Sequence, residues 1–202
     1  MTWHLNARAA QSTHYSLRTG FLPGHGQVIW RDWYTHTVVS GTPDSETNTV
    51  TVDLAAPLGH IPVLVRSGAA LLLHSQPAYT TRASATAPYA LLVSLGRDGR
   101  AYGTTLIDDG ETQLPYDVPS PSRTLTFDVH GGQVVIAGHG AFGVVQPLDV
   151  LTVLGIDKAP RRVHVNGVVL PTPKWMYSPA VQRLVVSGLS IDLNERTAVV
   201  WE

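Results

Sequence analysis

The chain has 202 residues, 44% hydrophobic and 14% charged, with net charge −1, 18 glycines, 14 prolines and no cysteine. That length holds one domain or two small ones. The missing cysteines exclude disulfides and thiolate metal sites, and the near-neutral charge without a basic cluster excludes nucleic acid as a partner.

No apolar run reaches the roughly 18 residues of a helical membrane span, so no membrane partner is expected. Low charge with many turn formers fits an all-β chain. Residues 1–19 show no sustained period and are expected to be mobile, with Trp3 and Tyr15 as their apolar anchors. They lack the apolar middle of a signal peptide, which leaves the compartment unassigned. A fragment boundary is the preferred reading of this start over a transit peptide.

Gly20–Gly26 reads as a turn-rich entry. Gln27–Val39 reads as one strand, with Val28, Trp30, Asp32 and Tyr34 on one face and Ile29, Arg31 and Trp33 on the other. Gly41–Asn48 is a polar loop, and Thr49–Leu54 alternates as a half-buried strand. Pro57–Pro77 holds two apolar runs, Ile61–Val65 and Ala69–Leu73, separated by Ser67-Gly68. Such runs predict strands buried on both faces, with Pro62 weakening the first. Arg66 closes the first run; it either reaches solvent from a strand end or meets a partner surface.

Gln76–Pro88 is a linker or a segment crossing between sheets. Tyr89–Leu95 and Ala101–Ile107 are strands around a Gly96–Gly99 hairpin turn. Thr124–Val129 points Leu125, Phe127 and Val129 inward, and Gln133–Ala137 pairs back after Gly131-Gly132. Val150–Leu154 follows. Val163–Val169 is a hairpin on Asn166-Gly167, a pair that favours a type I′ turn. Arg183–Val186 and Thr197–Trp201 end the set.

The candidates for chemistry are few. Asp108, Asp109 and Glu111 form the densest carboxylate cluster. An acid–nucleophile pair needs carboxylates held about 5–10 Å apart, whereas a polar turn uses the same residues to accept backbone N–H groups, which is the preferred reading. The nine histidines lack zinc-site spacing, so no metal or other cofactor is assigned. No serine sits in a nucleophile elbow. Trp30, Trp33 and Tyr34 either stack on sugar rings or pack between domains. Trp175 and Tyr177, with Met176, form a second candidate aromatic patch.

Three ordered segments carry a family resemblance: Trp30–Thr35, Pro57–Ala78 and Tyr89–Glu111. They resemble the C-terminal region of glycoside hydrolase family 31, especially the fungal α-glucosidases, with weaker similarity continuing to Trp201. The resemblance implies two β-sandwich units: a partial proximal one over residues 20–77 and a distal one over 78–202. It also implies an absent catalytic (β/α)₈ barrel as partner and an α-glucan oligosaccharide as ligand. Trp30, Trp33, Tyr34 and Arg66 become candidates for carbohydrate or barrel contact. The family's barrel motif, Trp-x-Asp-Met-Asn-Glu, does not occur here, so no catalytic residue carries over. The implied role is non-catalytic support, in a family whose members are secreted, and the chain alone is expected to be inactive. The alternative is a free-standing carbohydrate-binding β-sandwich.

Overall fold

The computed structural model describes residues 17–24, 27–110 and 121–202. Trp3, Tyr15 and Glu111 lie outside the described residues. The fold is all-β and sandwich-like, as expected.

Three strands, β1 (Leu17–Pro23), β3 (Thr42–Asp44) and β4 (Thr49–Ala55), form a small antiparallel sheet in the order β1-β4-β3. β1 replaces the expected turn at Gly20–Gly26 and begins inside the segment expected to be mobile. β4 supplies the reason. Its alternation buries Val52 and leaves a full ladder for β1, from Leu17 opposite Ala55 to Pro23 opposite Thr49.

The expected strand over Gln27–Val39 is cut to β2 (Trp30–Asp32). Asp32 Oδ1 accepts from the N–H groups of Tyr34 (2.9 Å) and Thr35 (2.7 Å) and from the Thr35 hydroxyl (2.9 Å). These local bonds compete with a ladder and reverse the chain. Val38 then returns to bridge Arg31.

β5 (Leu64–Arg66) pairs with β2, while β6 (Ala69–His74) joins the large sheet. The two apolar runs therefore belong to different sheets. The first is also not buried throughout: Ile61 and Val63 are exposed, and only Val65 is covered.

The large sheet adds β7 (Tyr89–Ser94), β8 (Ala101–Ile107), β9 (Arg123–His130), β10 (Gln133–Gly140) and β11 (Leu148–Leu154). It continues with β12 (Val163–Val165), β13 (Val168–Val169), β14 (Trp175–Ser178), β15 (Arg183–Ile191) and β16 (Thr197–Trp201). The order is β13-β12-β16-β10-β9-β8-β6-β7-β11-β15-β14. Two arms face one core. Leu125, Phe127, Val134, Ile136 and Val199 come from one arm, and Leu91, Val93, Leu151, Val153, Leu184 and Val186 from the other. Each such side chain contributes about 1.5–3 kcal/mol by leaving water.

The arms join where β6 meets β8, through the parallel pair Ala69–Tyr102. The Gly96–Gly99 turn forms, with Gly96 N–H donating to Arg100 O at 2.8 Å. It does not close a hairpin, because β6 lies between β7 and β8. Asn166 (φ 48°) and Gly167 (φ 82°) make the expected turn between β12 and β13. Segment 76–88 contains a four-residue helix (Thr81–Ser84) and links β6 to β7, neighbours in one antiparallel ladder.

Candidate docking site

The short β2–β5 ladder is pinned to the large sheet by Arg31, which is 2% exposed. Its neighbours are legible from register. Arg31 stands opposite Val65, so both side chains leave the ladder toward the same face. There Val65 packs with Leu92 and Leu154, and Trp33 and Leu73 close over them. Arg31 Nη1 donates to the buried Ser94 hydroxyl at 2.9 Å and approaches Leu95 O at 3.5 Å. Gly155 makes room: a Cβ there, at φ 90°, would stand 2.6 Å from Nη2. Among the described residues Arg31 forms no ion pair with a carboxylate. Burial accordingly lowers its pKa.

From this pin the Asp32 turn projects outward. Burial tends to raise the Asp32 pKa, but the bonds from Thr35 and Tyr34 and the nearby His60 outweigh it and hold the carboxyl below its ordinary value. Tyr34 is 54% exposed. Its hydroxyl donates to Ile61 O at 3.2 Å, and its ring lies 4.9 Å from that of His60. Trp33 is half-buried, and its N–H donates to Val63 O at 2.9 Å. Trp30 is half-buried and donates from Nε1 to Pro23 O at 3.1 Å. Arg66 is exposed at the end of β5, opposite Trp30.

The segment that Tyr34 bonds through Ile61 O is rich in exposed apolar residues. Ile61 is 77% exposed, and Leu58 and Val63 are also solvent-facing. Bulky aliphatic residues gathered on one surface mark a contact site when they form a patch. Sequence reasoning found the apolar run but assigned it to a strand covered on both faces. It did not single out Arg31, because an alternating strand gives that residue no special status. The only available signal was a permanent charge between two tryptophans.

The same turn also meets β15 of the large sheet. His36, at φ 62°, places Nδ1 3.2 Å from Arg183 Nη1. The contact requires a neutral ring that accepts at Nδ1. Burial and then the Arg183 charge lower the His36 pKa, against a weaker opposite pull from Asp32. The folded state therefore binds the His36 proton less readily than the unfolded chain. Its contribution to stability is complete above the ordinary value of 6.5 and declines as pH falls from there toward the lowered value. Unfolding midpoints measured from pH 8 to pH 5 should show a steeper acid loss for the wild type than for His36→Asn, a residue that tolerates positive φ. Identical slopes would mean that the contact does not titrate with folding.

The other candidates lie elsewhere. Trp175 and Tyr177, on β14, pack against the main core, and the Tyr177 hydroxyl donates to Ile156 O at 2.6 Å; Met176 between them is exposed. Asp108 Oδ1 accepts from Gly110 N–H at 2.9 Å, as a polar turn does. Among the described residues no group of three or more His, Asp or Glu side chains is placed to hold a metal ion.

No family model matches the chain. Over 166 residues it is 37% identical to the α-glucosidase of Aspergillus niger, a match covering 82% of this chain and 16% of that protein. It is 33% identical over 190 residues to an uncharacterized family 31 glucosidase of Schizosaccharomyces pombe, covering 90% of this chain and 17% of that protein. Among solved structures, the glucosidase II α subunit matches with a TM-score of 0.70 at 18% identity, over 94% of this chain and 22% of that one. The GH31 dextranase of Flavobacterium johnsoniae matches at 0.66 with 16% identity, over 92% and 24%. These structures establish the fold, and the closer sequences establish the lineage. Together they define a β-rich, C-terminal-type region of a glycoside hydrolase. The chain belongs to glycoside hydrolase family 31, as a partial region that spans about 16% of the length of the α-glucosidases it matches.

Proposed function

We propose that this chain braces the catalytic domain of an α-glucosidase, and that the Tyr34–Ile61 surface is where that domain docks. The observation that carries this reading is the exposure of Leu58, Ile61 and Val63 on the segment that Tyr34 bonds through Ile61 O, next to a turn anchored by the fully buried Arg31. A surface of this kind exposes apolar area to water until a partner covers it. Trp30, Trp33 and Arg66 belong to the same proposal as flanking contacts. In this reading the whole enzyme hydrolyses α-glucosidic bonds, and the reacting carboxylates sit on the docked domain.

The test mixes this chain with the catalytic domain of an α-glucosidase lacking its own corresponding segment. The chain alone should not turn over a chromogenic α-glucoside. A complex should form by size-exclusion chromatography, and Ile61→Asp with Leu58→Asp should weaken it while leaving the melting temperature of this chain unchanged. The same variant should lower binding of a hydrophobic dye by the isolated chain. Turnover by the isolated chain, or a complex indifferent to the double substitution, would overturn the proposal.

A further inference from the structure

The outer face of β8 and β9 departs from its own pattern. β8 buries Ala101 and Gly103 and turns Tyr102 and Thr104 outward. A solvent-facing position on such a strand calls for a small or polar residue, yet Tyr102 is 58% exposed. Its register partner on β9 is Asp128. His130, two residues further, shares that face, with Nδ1 3.4 Å from Asp128 Oδ1. The turn after β7 brings Asp98 and Arg100 to the same place. With Gly68 these residues line an open cleft of about 520 Å³, within the size range of small-molecule sites.

The chemistry of the lining narrows the ligand. Two carboxylates stand with one guanidinium and one imidazole, so the site has no strong excess of either sign. It offers no cationic field for a phosphate, and among the described residues Asp98, Asp128 and His130 are not placed together to hold a metal ion. It does offer acceptors from Asp98 and Asp128, donors from Arg100 and His130, and an exposed aromatic ring. A neutral molecule with many hydroxyls and one apolar face answers all three. Its hydroxyls donate to carboxylates and accept from the guanidinium, and its C–H face covers the ring.

We propose that this cleft binds a neutral carbohydrate, with one pyranose ring stacked on Tyr102 and its hydroxyls held between Asp128 and Arg100. None of the lining residues belongs to the Tyr34–Ile61 surface, and the proposal does not depend on docking there. Both of the aromatic clusters singled out from sequence are different residues.

The test uses the 202-residue chain with no catalytic domain present, so its outcome is separate from that of the docking experiment. Maltotriose is titrated while amide resonances are followed, with sorbitol as an acyclic polyol control. Saturable shifts should centre on Tyr102, Asp128 and His130, with a dissociation constant on the order of millimolar. Tyr102→Ala should weaken binding about tenfold or more, and Tyr102→Phe should retain it, because the ring rather than the hydroxyl carries the stack. Asp128→Asn should weaken binding without moving the melting temperature. Three results would overturn the proposal: no shifts at tens of millimolar sugar, shifts that persist unchanged in Tyr102→Ala, or equal binding of sorbitol.

Discussion

Gly103→Ala is expected to be the most damaging single-methyl substitution in this chain. A Cβ at residue 103 would stand 1.9 Å from the carbonyl oxygen of Ala70 and 2.8 Å from its carbonyl carbon. Those atoms are backbone, so no side-chain rotation relieves the clash. The two strands meet here at the only parallel pairing between β6 and β8, which joins the arms of the large sheet. Separating them opens the core between Phe127 and Val93, both 0% exposed. Overpacking against backbone should cost at least about 3 kcal/mol. For a chain of this size that lowers the melting temperature by roughly 6–12 °C. Gly59→Ala is the control, since nothing lies within 4 Å of a Cβ there. It should be neutral or slightly stabilising. Comparable melts for the two variants would show that the junction is looser than its geometry implies.

Arg31 carries the second large effect, and two substitutions separate its charge from its volume. Arg31→Ala removes the largest fully buried side chain and takes from the Ser94 hydroxyl its 2.9 Å donor. Cavity and lost hydrogen bond together should cost about 2–4 kcal/mol. Arg31→Met keeps most of the stem and removes a cation that has no carboxylate to repay its desolvation. Replacing buried charge by well-packed apolar volume is often neutral, so the loss should be no more than about 1 kcal/mol. Urea unfolding midpoints decide the question. If Met proves as harmful as Ala, the bonds to Ser94 and Leu95, and not the filled space, hold the β2–β5 ladder to the large sheet. The same result would imply that the Asp32 turn depends on a charge.

The two substitutions also mark the boundary of what was legible in advance. Leu125, Phe127 and Val129 alternate with polar residues along β9, and all three are core. Period-2 alternation is a local property, so it survives into the structure whenever one face is solvated. Asn166-Gly167 predicted its turn for the same reason, because positive φ is a property of those residues alone. The strand over Gln27–Val39 failed because Asp32 found bonding partners two and three residues away, a competition that hydrophobic pattern does not report. The Gly96–Gly99 turn formed, yet its strands do not pair, because β6 arrives from earlier in the chain and takes the place between them. Nothing within residues 89–107 encodes that arrival.

The candidate site divides in the same way. Tyr34 and Arg66 are exposed and Trp30 and Trp33 half-buried, a distinction invisible in a run of aromatics. Ile61 read as core, yet it is 77% exposed, because an apolar residue in a short run looks the same whether its face is covered or bare. Arg31 went unnoticed because its importance lies in Ser94, Leu95 and Gly155, more than 60 residues away.

The amino-acid sequence by itself determined the β class, most strand positions, the inward face of β9 and, through three ordered motifs, the lineage. These follow from local backbone preference and side-chain period, which need no distant partner. Tertiary structure alone decided which strands are neighbours, which apolar faces remain uncovered, where one cation is sealed inside, and that Tyr102 stands over a cleft. Each depends on segments far apart in the chain reaching the same place, and contact at that range is set by packing of the whole core.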